Sequence, residues 1–563
     1  MKKLSFLLLL TSVFLQGQSQ IPTDYFASPL GIDLILSGNF GELRSNHFHS
    51  GLDIKTQQRT GLPIYASADG YVSRANVSHF GYGKALYLQH PNGYTTVYAH
   101  LSRFAGEIQS YIKDQQYKKE SYEIELFPEK NFLPVKKGDL IAYSGNTGSS
   151  GGPHLHFEIR DSSQRPMNPM NFGFDIADSK PPIINSLFAY PLGEDAHVNQ
   201  NQNRTKIRLT KVSSGIYKTD DLIAYGDIGF GVSSEDQLDG AINKNGVYNI
   251  TAKLNTTKKF EVRFDIFSFS ETRYLNRYID FGYFQTNRSR IQKLFRQSNN
   301  PLSVIVDEYN SGILNIKDSL DYSYVIDVKD YKGNTSSIIV PIKGQKAPIL
   351  EPRTVNTDYE FVYADHATKM TKGKFSIYIP ANSLYEDTYL DIQAEGDNLT
   401  LHNKEVPLHK RITITADISH YKPEDRDKLF IGKLNNRGNP RYVSGTRRGD
   451  RLSASTRELG DYTIAYDSVP PKITPVNFSD GKWISDQKTL RVKISDDLSG
   501  ISSYRATING KFILMEYEYK NDTLTYDFND GVNDSSENNL KLIVLDNVGN
   551  SATFEAQFFR KQP

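Results

Sequence analysis

Short runs of alternating apolar and polar residues, each ended by Gly, Asn or Asp, recur along most of this chain. An alternation with a period of two places one face of a strand in a core and the other face in water. Tyr and Phe, which favour strands, are frequent at 35 and 30 residues. The pair Asn92-Gly93 between two such runs is typical of a tight hairpin turn. The chain is therefore predicted to be mainly β.

An internal repeat divides the second half of the chain. The segment Asp178 to Pro182 recurs as Asp467 to Pro471, and the turn Asp330 to Asn334 recurs as Asp546 to Asn550. A Gly-Asn turn between two strands predicts a closing hairpin. We interpret residues 179–346 and 468–563 as β-sandwiches that resemble immunoglobulin-like or fibronectin-like domains. Residues 347–467 then form a further β-sandwich candidate, as expected for 563 residues, which exceed one hydrophobic core.

The first residues predict export. Lys2 and Lys3 precede an apolar run from Leu4 to Leu15, and these twelve residues are too few to span a bilayer, which takes about twenty. We expect residues 1–19 to be a signal peptide that is cleaved after Ser19. No later run has transmembrane length, so the mature protein is expected in the periplasm or at the cell surface.

The charge balance excludes two classes of partner. The chain has 66 basic and 65 acidic residues, a net charge of +1. Binding to nucleic acid or to an anionic membrane usually requires a basic surface. Neither partner is expected.

Four polar residues have spacings that let them face one cleft. His49 and Asp53 are four residues apart, and His154 and His156 follow about a hundred residues later. Even spacings on extended strands place side chains on one face, while the apolar residues between them are expected in the core. Imidazoles and one carboxylate are typical of a catalytic zinc site, which has three protein ligands and a fourth position for water. The additional histidine is then free to act as a base, which favours a catalytic site over a structural one.

This pattern resembles the LytM/lysostaphin-type zinc endopeptidases, which cleave the peptide part of peptidoglycan and contain a duplicated hybrid motif like that of glucose permeases. The resemblance covers roughly residues 40–162 and rests on pieces in the family's order. The pieces are His49 to Asp53, Gly81 to Gly83, Val97 to Ser102, Val135 to Asp139, Gly145 to Gly148 and Gly152 to Glu158. It implies an antiparallel β-sheet peptidase domain over residues 20–178, with a groove walled by loops.

The resemblance also implies the roles of five residues. Carried over by position, the metal ligands fall on His49, Asp53 and His156, and the two catalytic histidines fall on His100 and His154. Zinc is the implied cofactor, and the two histidines are expected to supply the acid and base steps. Which histidine is the base, and which one stabilises the oxyanion, stays open.

One segment departs from the family. Residues 103–134 form a longer connection than is usual, and they mix charged residues with Tyr111, Tyr117, Tyr122, Phe127 and Phe132. We expect these aromatic side chains to pack the insertion onto the domain, with stacking on substrate as the alternative.

The predicted function is hydrolysis of peptidoglycan peptide crosslinks by a secreted zinc metalloendopeptidase. The alternative is a non-catalytic scaffold that binds peptidoglycan or activates another cell-wall hydrolase. A protein substrate is a third, weaker interpretation. The C-terminal β domains are expected to act as a spacer or to bind the wall or a cell-envelope protein, and every candidate catalytic residue precedes residue 161.

Overall fold

The structure is a computed structural model that describes residues 21–532 and 535–561. Strands dominate it, so the prediction of a mainly β chain is confirmed. The predicted signal peptide, residues 1–19, lies outside the described residues. Within those residues, no helix is both long and apolar enough to cross a membrane.

The N-terminal unit (residues 21–178) has twelve strands and one α-helix. They are β1 (Leu36–Gly38), β2 (Leu52–Lys55), β3 (Pro63–Tyr65), β4 (Gly70–Val77), β5 (Lys84–Gln89), β6 (Thr95–Leu101), β7 (Arg103–Phe104), α1 (Gly106–Lys119), β8 (Ile124–Leu126), β9 (Pro134–Val135), β10 (Leu140–Tyr143), β11 (His154–Arg160) and β12 (Pro166–Met167).

The main sheet of the N-terminal unit follows the order β1-β2-β11-β6-β5-β4-β8, and its named pairs are antiparallel. Leu52 and Ile54 on β2, and Leu155 and Phe157 on β11, are fully buried. Because side chains alternate along a strand, the polar residues between them face the opposite side. The sheet therefore presents the candidate site on the face away from this core.

Helix α1 lies in the insertion and was not predicted. Ile108 and Ile112 are buried and one turn apart, so they form a narrow apolar stripe on one face of the helix. The remaining positions are mostly polar, so the sequence has little of the apolar periodicity by which helices are predicted. The helix ends at Glu120, which has a left-handed conformation.

The second unit (residues 179–346) has thirteen strands and two short α-helices. They are β13 (Ile183–Pro191), β14 (His197–Val198), β15 (Thr205–Ile207), β16 (Thr210–Ser213), β17 (Ile216–Lys218), β18 (Leu222–Glu235), β19 (Asn249–Leu254), β20 (Thr257–Arg263), α2 (Leu275–Tyr278), α3 (Phe281–Asn287), β21 (Gln292–Lys293), β22 (Ile305–Glu308), β23 (Leu314–Ile316), β24 (Asp321–Lys329) and β25 (Thr335–Gly344).

The second unit packs directly on the N-terminal unit. The ring of Phe48, next to His49, lies 5.5 Å from the ring of Phe264 and 5.4 Å from that of Phe267. The backbone N–H of Phe48 also donates to the Thr272 hydroxyl group at 2.7 Å. One continuous apolar core includes residues of both units.

The third unit (residues 347–467) consists of two facing five-stranded sheets and a two-stranded ribbon. Its strands are β26 (Glu360–Val362), β27 (Thr368–Lys372), β28 (Phe375–Ile379), β29 (Thr388–Leu390), β30 (Ile392–Glu395), β31 (Asn398–Leu401), β32 (Ile412–Asp417), β33 (Leu429–Leu434), β34 (Pro440–Ser444), β35 (Thr446–Arg448), β36 (Arg451–Thr456) and β37 (Gly460–Tyr466). A single apolar core contains residues of both sheets.

The fourth unit (residues 468–561) pairs a four-stranded with a five-stranded sheet around its own core. Its strands are β38 (Lys472–Pro475), β39 (Lys482–Trp483), β40 (Thr489–Ser495), β41 (Ile501–Ile508), β42 (Lys511–Ile513), β43 (Met515–Glu518), β44 (Thr523–Asp527), β45 (Glu537–Asp546) and β46 (Ser551–Phe559). The predicted closing hairpins are present, because the two Gly-Asn turns join β24 to β25 and β45 to β46.

The fourth unit returns to the N-terminal unit and contacts it. Lys84 Nζ lies 2.8 Å from Glu516 Oε2, and the Tyr117 hydroxyl group of α1 donates to Asp530 Oδ2 at 2.6 Å. The ring of Tyr519 lies 4.7 Å from that of Phe80. Insertion 103–134 therefore forms part of a contact between units far apart in sequence.

Candidate metal centre

The three predicted metal ligands place one atom each within about 3 Å of the other two. His49 Nε2 is 2.9 Å from Asp53 Oδ1 and 3.0 Å from His156 Nδ1, and His156 Nδ1 is 2.9 Å from the same oxygen. All three residues are buried. The structure thus brings together the two sequence segments that carry the predicted ligands.

The strand register positions two of the three residues. Asp53 on β2 lies directly opposite His156 on β11 in the antiparallel pair. His49 lies in the loop before β2, where its Nδ1 is 2.7 Å from the backbone carbonyl oxygen of Asn39. Because a carbonyl group only accepts, this contact keeps the proton on Nδ1 and leaves Nε2 as the ligand nitrogen.

His156 is oriented by a buried carboxylate that the sequence analysis did not assign. Its Nε2 lies 2.8 Å from Glu158 Oε1, so the proton is on Nε2 and Nδ1 is free to bind a metal. Glu158 also accepts from Arg160 Nε at 2.6 Å and from the Ser50 hydroxyl group at 2.6 Å. Residue 158 follows 154 and 156 on the same face of β11, and this even spacing is the signal that could have revealed it.

Asp53 is held in its ionised form. Its second oxygen, Oδ2, accepts from Arg44 Nη2 at 2.7 Å. Burial alone would raise the pKa of Asp53, but His49, His154 and His156 hold that pKa well below its usual value. An ionised carboxylate is the form that binds a metal ion.

The two remaining histidines lie beside these three residues. The rings of His100 and His154 are 4.8 Å apart, and His154 Nε2 is 3.4 Å from Asp53 Oδ1. His154 Nδ1 lies 2.8 Å from the Gly152 carbonyl oxygen, and His154 Nε2 is buried with no hydrogen-bond partner among residues 21–532 and 535–561. His154 therefore presents an unprotonated nitrogen next to the ligand atoms.

His100 has a comparable anchor and an unusual backbone. Its Nδ1 is 2.9 Å from the Thr147 carbonyl oxygen, and its φ of 60° is in the left-handed region. This conformation is uncommon outside glycine and occurs often at functional sites. Burial, followed by the nearby His156 and His154, lowers the pKa of His100 to about 3. The ring is therefore neutral at neutral pH.

The donor set fits a zinc ion. Two imidazole nitrogens and one carboxylate oxygen are typical zinc ligands, with bonds of about 2.0–2.2 Å, so ligand atoms around one tetrahedral zinc ion lie about 3.3–3.6 Å apart. The three atoms described above are 2.9–3.0 Å apart, so a small outward movement of the side chains gives that separation. His154 Nε2, buried and without a partner, lies beside them.

His47 and the aromatic residues of the insertion lie outside this group. His47 is exposed, and its Nδ1 contacts Asn46 Oδ1 at 2.9 Å. Tyr122 is buried and stacks on His79, with ring centroids 5.1 Å apart, while Tyr117 contacts the fourth unit. Tyr122 and Tyr117 therefore make packing contacts, whereas Phe127 and Phe132 of the insertion are exposed.

Two sequence families match parts of the chain. Peptidase family M23 matches residues 47–117 and 130–169, and the Zu5-like domain matches residues 359–467. The gap between the two M23 segments, residues 118–129, lies inside the predicted insertion 103–134. The Zu5-like match falls within the third unit.

The relatives match about a quarter of this chain. DD-carboxypeptidase/endopeptidase Mpg of Neisseria meningitidis serogroup B is 36% identical over 129 residues, which are 23% of this chain and 24% of Mpg. Peptidoglycan DD-endopeptidase ShyA of Vibrio cholerae is 33% identical over 133 residues, 24% of this chain and 25% of ShyA. The chain thus spans about a quarter of the length of these relatives.

Among solved structures, the catalytic domain of the antimicrobial peptidase lysostaphin from Staphylococcus simulans is 24% identical, with a TM-score of 0.19. The match covers 25% of this chain and 93% of that domain. The M23 match contains all five predicted site residues. The N-terminal unit therefore belongs to peptidase family M23, of the LytM type.

Proposed function

We propose that this chain is an exported zinc metalloendopeptidase that hydrolyses the peptide crosslinks of peptidoglycan. The observation that carries the proposal is the convergence of His49 Nε2, Asp53 Oδ1 and His156 Nδ1, with the partnerless His154 Nε2 beside them. The names of the relatives Mpg and ShyA support the substrate class. The signal-like residues 1–19 support export to the periplasm or the cell surface.

His49, Asp53 and His156 would hold the zinc ion. When bound, zinc supplies the Lewis-acid chemistry of a metallopeptidase, which polarises a carbonyl group and makes water more acidic. Glu158 keeps the proton of His156 on Nε2, and the Asn39 carbonyl oxygen does the same for the Nδ1 proton of His49. The two imidazoles are thus preset in the tautomers that bind metal.

His154 and His100 would move protons. Each ring has its Nδ1 beside a backbone carbonyl oxygen, so its Nε2 is the unprotonated nitrogen and can accept a proton from water. The ring that takes this proton can return it to the leaving amine. The other ring, whose Nε2 is also unprotonated, can accept a hydrogen bond from the water and orient it. Both histidines are proposed to be necessary.

The proposal is tested on the mature full chain, residues 20–563. The zinc content is measured by elemental analysis, and the chain is incubated with purified sacculi, with muropeptides then separated and identified by mass spectrometry. We expect about one zinc ion per chain and conversion of crosslinked dimers to monomers.

One control separates catalysis from binding. The variant His154→Ala keeps the three proposed ligands and is assayed in parallel with the wild-type chain. A zinc-loaded wild-type chain that binds sacculi without converting dimers would support the scaffold alternative. Equal conversion by the variant would contradict the proposed site.

A further inference from the structure

A second group of acidic side chains lies where the N-terminal unit joins the second unit. Asp178, Asp236 and Asp330 each offer one carboxylate oxygen, and the three oxygens lie within 4.8 Å of one another. Asp178 is in the segment that enters the second unit, Asp236 follows β18, and Asp330 begins the turn between β24 and β25. Three segments distant in sequence thus bring three negative groups together.

This group has no cation partner among the described residues. No side-chain nitrogen of a Lys, Arg or His among residues 21–532 and 535–561 lies within 4.0 Å of these carboxylates. Asp236 is 2% exposed and Asp330 is 1% exposed, and Asp236 Oδ1 is buried without a hydrogen-bond partner. Burial, followed by the neighbouring Asp178 and Asp330, raises the pKa of Asp236 to about 8.

An arrangement of this kind is unfavourable unless a cation occupies it. A buried carboxylate without a partner costs free energy, and neighbouring carboxylates add repulsion. The other two residues are only partly satisfied: Asp330 accepts from the Asn334 backbone at 2.9 Å and from its side chain at 2.7 Å, and Asp178 accepts from the Lys180 backbone at 3.2 Å. Each carboxylate retains lone pairs that can bind a cation.

The chemistry of the group selects the class of cation. Carboxylate oxygens bind hard divalent cations, and calcium accepts irregular sets of six to eight oxygens at about 2.3–2.6 Å. Oxygens on opposite sides of such an ion lie up to about 5 Å apart, which includes the separations found here. Magnesium requires a more regular octahedron with bonds of about 2.0–2.1 Å. We propose that Asp178, Asp236 and Asp330 bind a calcium ion that fixes the N-terminal unit to the second unit.

The repeated sequence supplies an internal contrast. Asp467, Asp496 and Asp546 of the fourth unit form a similar cluster. There, however, Asp467 Oδ2 accepts from the Ser499 backbone at 3.1 Å, and Asp496 Oδ1 accepts from the Gly500 backbone at 2.6 Å. Asp546 accepts from the backbone and the side chain of Asn550, both at 2.7 Å. Asp330 makes the same two contacts with Asn334, so the clusters differ at the third residue. Asp496 accepts from a turn, whereas Asp236 Oδ1 is buried with no hydrogen-bond partner among the described residues. No cation is proposed for the cluster of the fourth unit.

The test uses the mature full chain, first freed of metal and then reloaded with one equivalent of zinc. CaCl₂ is titrated by isothermal calorimetry, and thermal unfolding is recorded with and without calcium. The variants are Asp236→Asn and Asp178→Asn, with Asp546→Asn as the matched control in the fourth unit. MgCl₂ is titrated in a separate experiment.

We expect one calcium ion per chain beyond the zinc ion, and a higher unfolding temperature in calcium. Asp236→Asn and Asp178→Asn should each weaken calcium binding by about tenfold or more, and Asp546→Asn should leave it unchanged. Without calcium, Asp236→Asn should unfold at a higher temperature than the wild-type chain, because folding no longer has to protonate or bury a carboxylate.

Several results would overturn the proposal. These are the absence of binding up to about 10 mM calcium, binding of magnesium alone, and a calcium response in Asp236→Asn equal to that of the wild-type chain. Loss of binding in Asp546→Asn alone would move the site to the fourth unit. If Asp236→Asn does not fold, the response of Asp178→Asn, whose side chain lies in the connecting segment, decides between the outcomes.

Discussion

His49 and Asp53 contribute two of the three ligand atoms of the candidate metal centre. We expect His49→Ala and Asp53→Ala to lose the zinc ion, because two ligands do not complete a site that takes three protein ligands. Elemental analysis of the purified variants measures this loss. His47→Ala is the control, since His47 is exposed and contacts Asn46, and it should retain the metal. Full zinc occupancy in the His49 or Asp53 variant would refute the ligand assignment.

His154 and His100 should behave differently from the ligands. His154→Ala and His100→Ala are expected to keep zinc and to lose turnover by about a hundredfold or more, as expected when a general acid or base is removed. Zinc content and muropeptide turnover are measured on the same samples. Loss of zinc in the His154 variant, with retention in a His156 variant, would show that the roles of these two histidines are exchanged.

For single residues, the sequence predicted which side chains lie in the site better than it predicted their hydrogen-bond partners. The even spacings placed His154 and His156 on one face of β11, because strand alternation is a local property. The carbonyl groups of Asn39 and Thr147 that orient His49 and His100 could not be predicted. Every residue has a backbone carbonyl group, so residue type does not show which one accepts a hydrogen bond from a histidine. Glu158 had a signal in its spacing, but its contacts with Arg160 and Ser50 depend on the fold.

At the scale of elements, helix α1 has a role that its composition did not indicate. Its Tyr117 and Lys113 both contact Asp530 of the fourth unit, whose side chain is 2% exposed. Asp530→Ala would leave these groups without their partner in a partly buried contact. We expect a loss of about 1–3 kcal/mol in the free energy of unfolding of the docked form.

Chemical denaturation, monitored separately for α1 and for the fourth unit, measures the effect of Asp530→Ala. The matched control is Asp114→Ala on the same helix, because Asp114 is 69% exposed and its ion pair with Lys118 is at the surface. That variant should change stability by less than about 0.5 kcal/mol. Equal effects of the two substitutions would contradict a structural role for the contact.

Strands with one buried face, such as β2 and β11, could be predicted, because apolar residues on the buried face alternate in sequence with polar residues on the other face. Helix α1 was missed because Ile108 and Ile112 are its only fully buried apolar side chains. The rest of its stability comes from contacts with other elements, which local sequence does not encode.

At the scale of the whole molecule, the second unit packs against the segment that carries His49. Phe264 and Phe267 of the second unit pack against Phe48, beside His49. The Asn39 side chain, whose backbone carbonyl orients His49, donates to the Gly246 carbonyl oxygen at 2.7 Å. This shared core could not be predicted from the sequence of either unit, because it depends on how the surfaces of two folded units pack together.

The shared core predicts the behaviour of two fragments. A fragment of residues 21–178 exposes Phe40 and Phe48 and should be poorly soluble or unable to hold zinc. A fragment of residues 21–346 retains Phe264 and Phe267, and we expect it to bind zinc and cleave small muropeptides. Soluble yield, zinc content and turnover are measured for both fragments. A soluble, zinc-loaded and fully active 21–178 fragment would show that the N-terminal unit is independent.

The contact between Phe48 and Thr272 spans 224 residues of sequence. During synthesis, chains fold from the N-terminus as units emerge. The packing of the loop that carries His49 is therefore complete only after Phe264, Phe267 and Thr272 have been synthesised. A chain that ends before the second unit thus lacks part of the support of the candidate site.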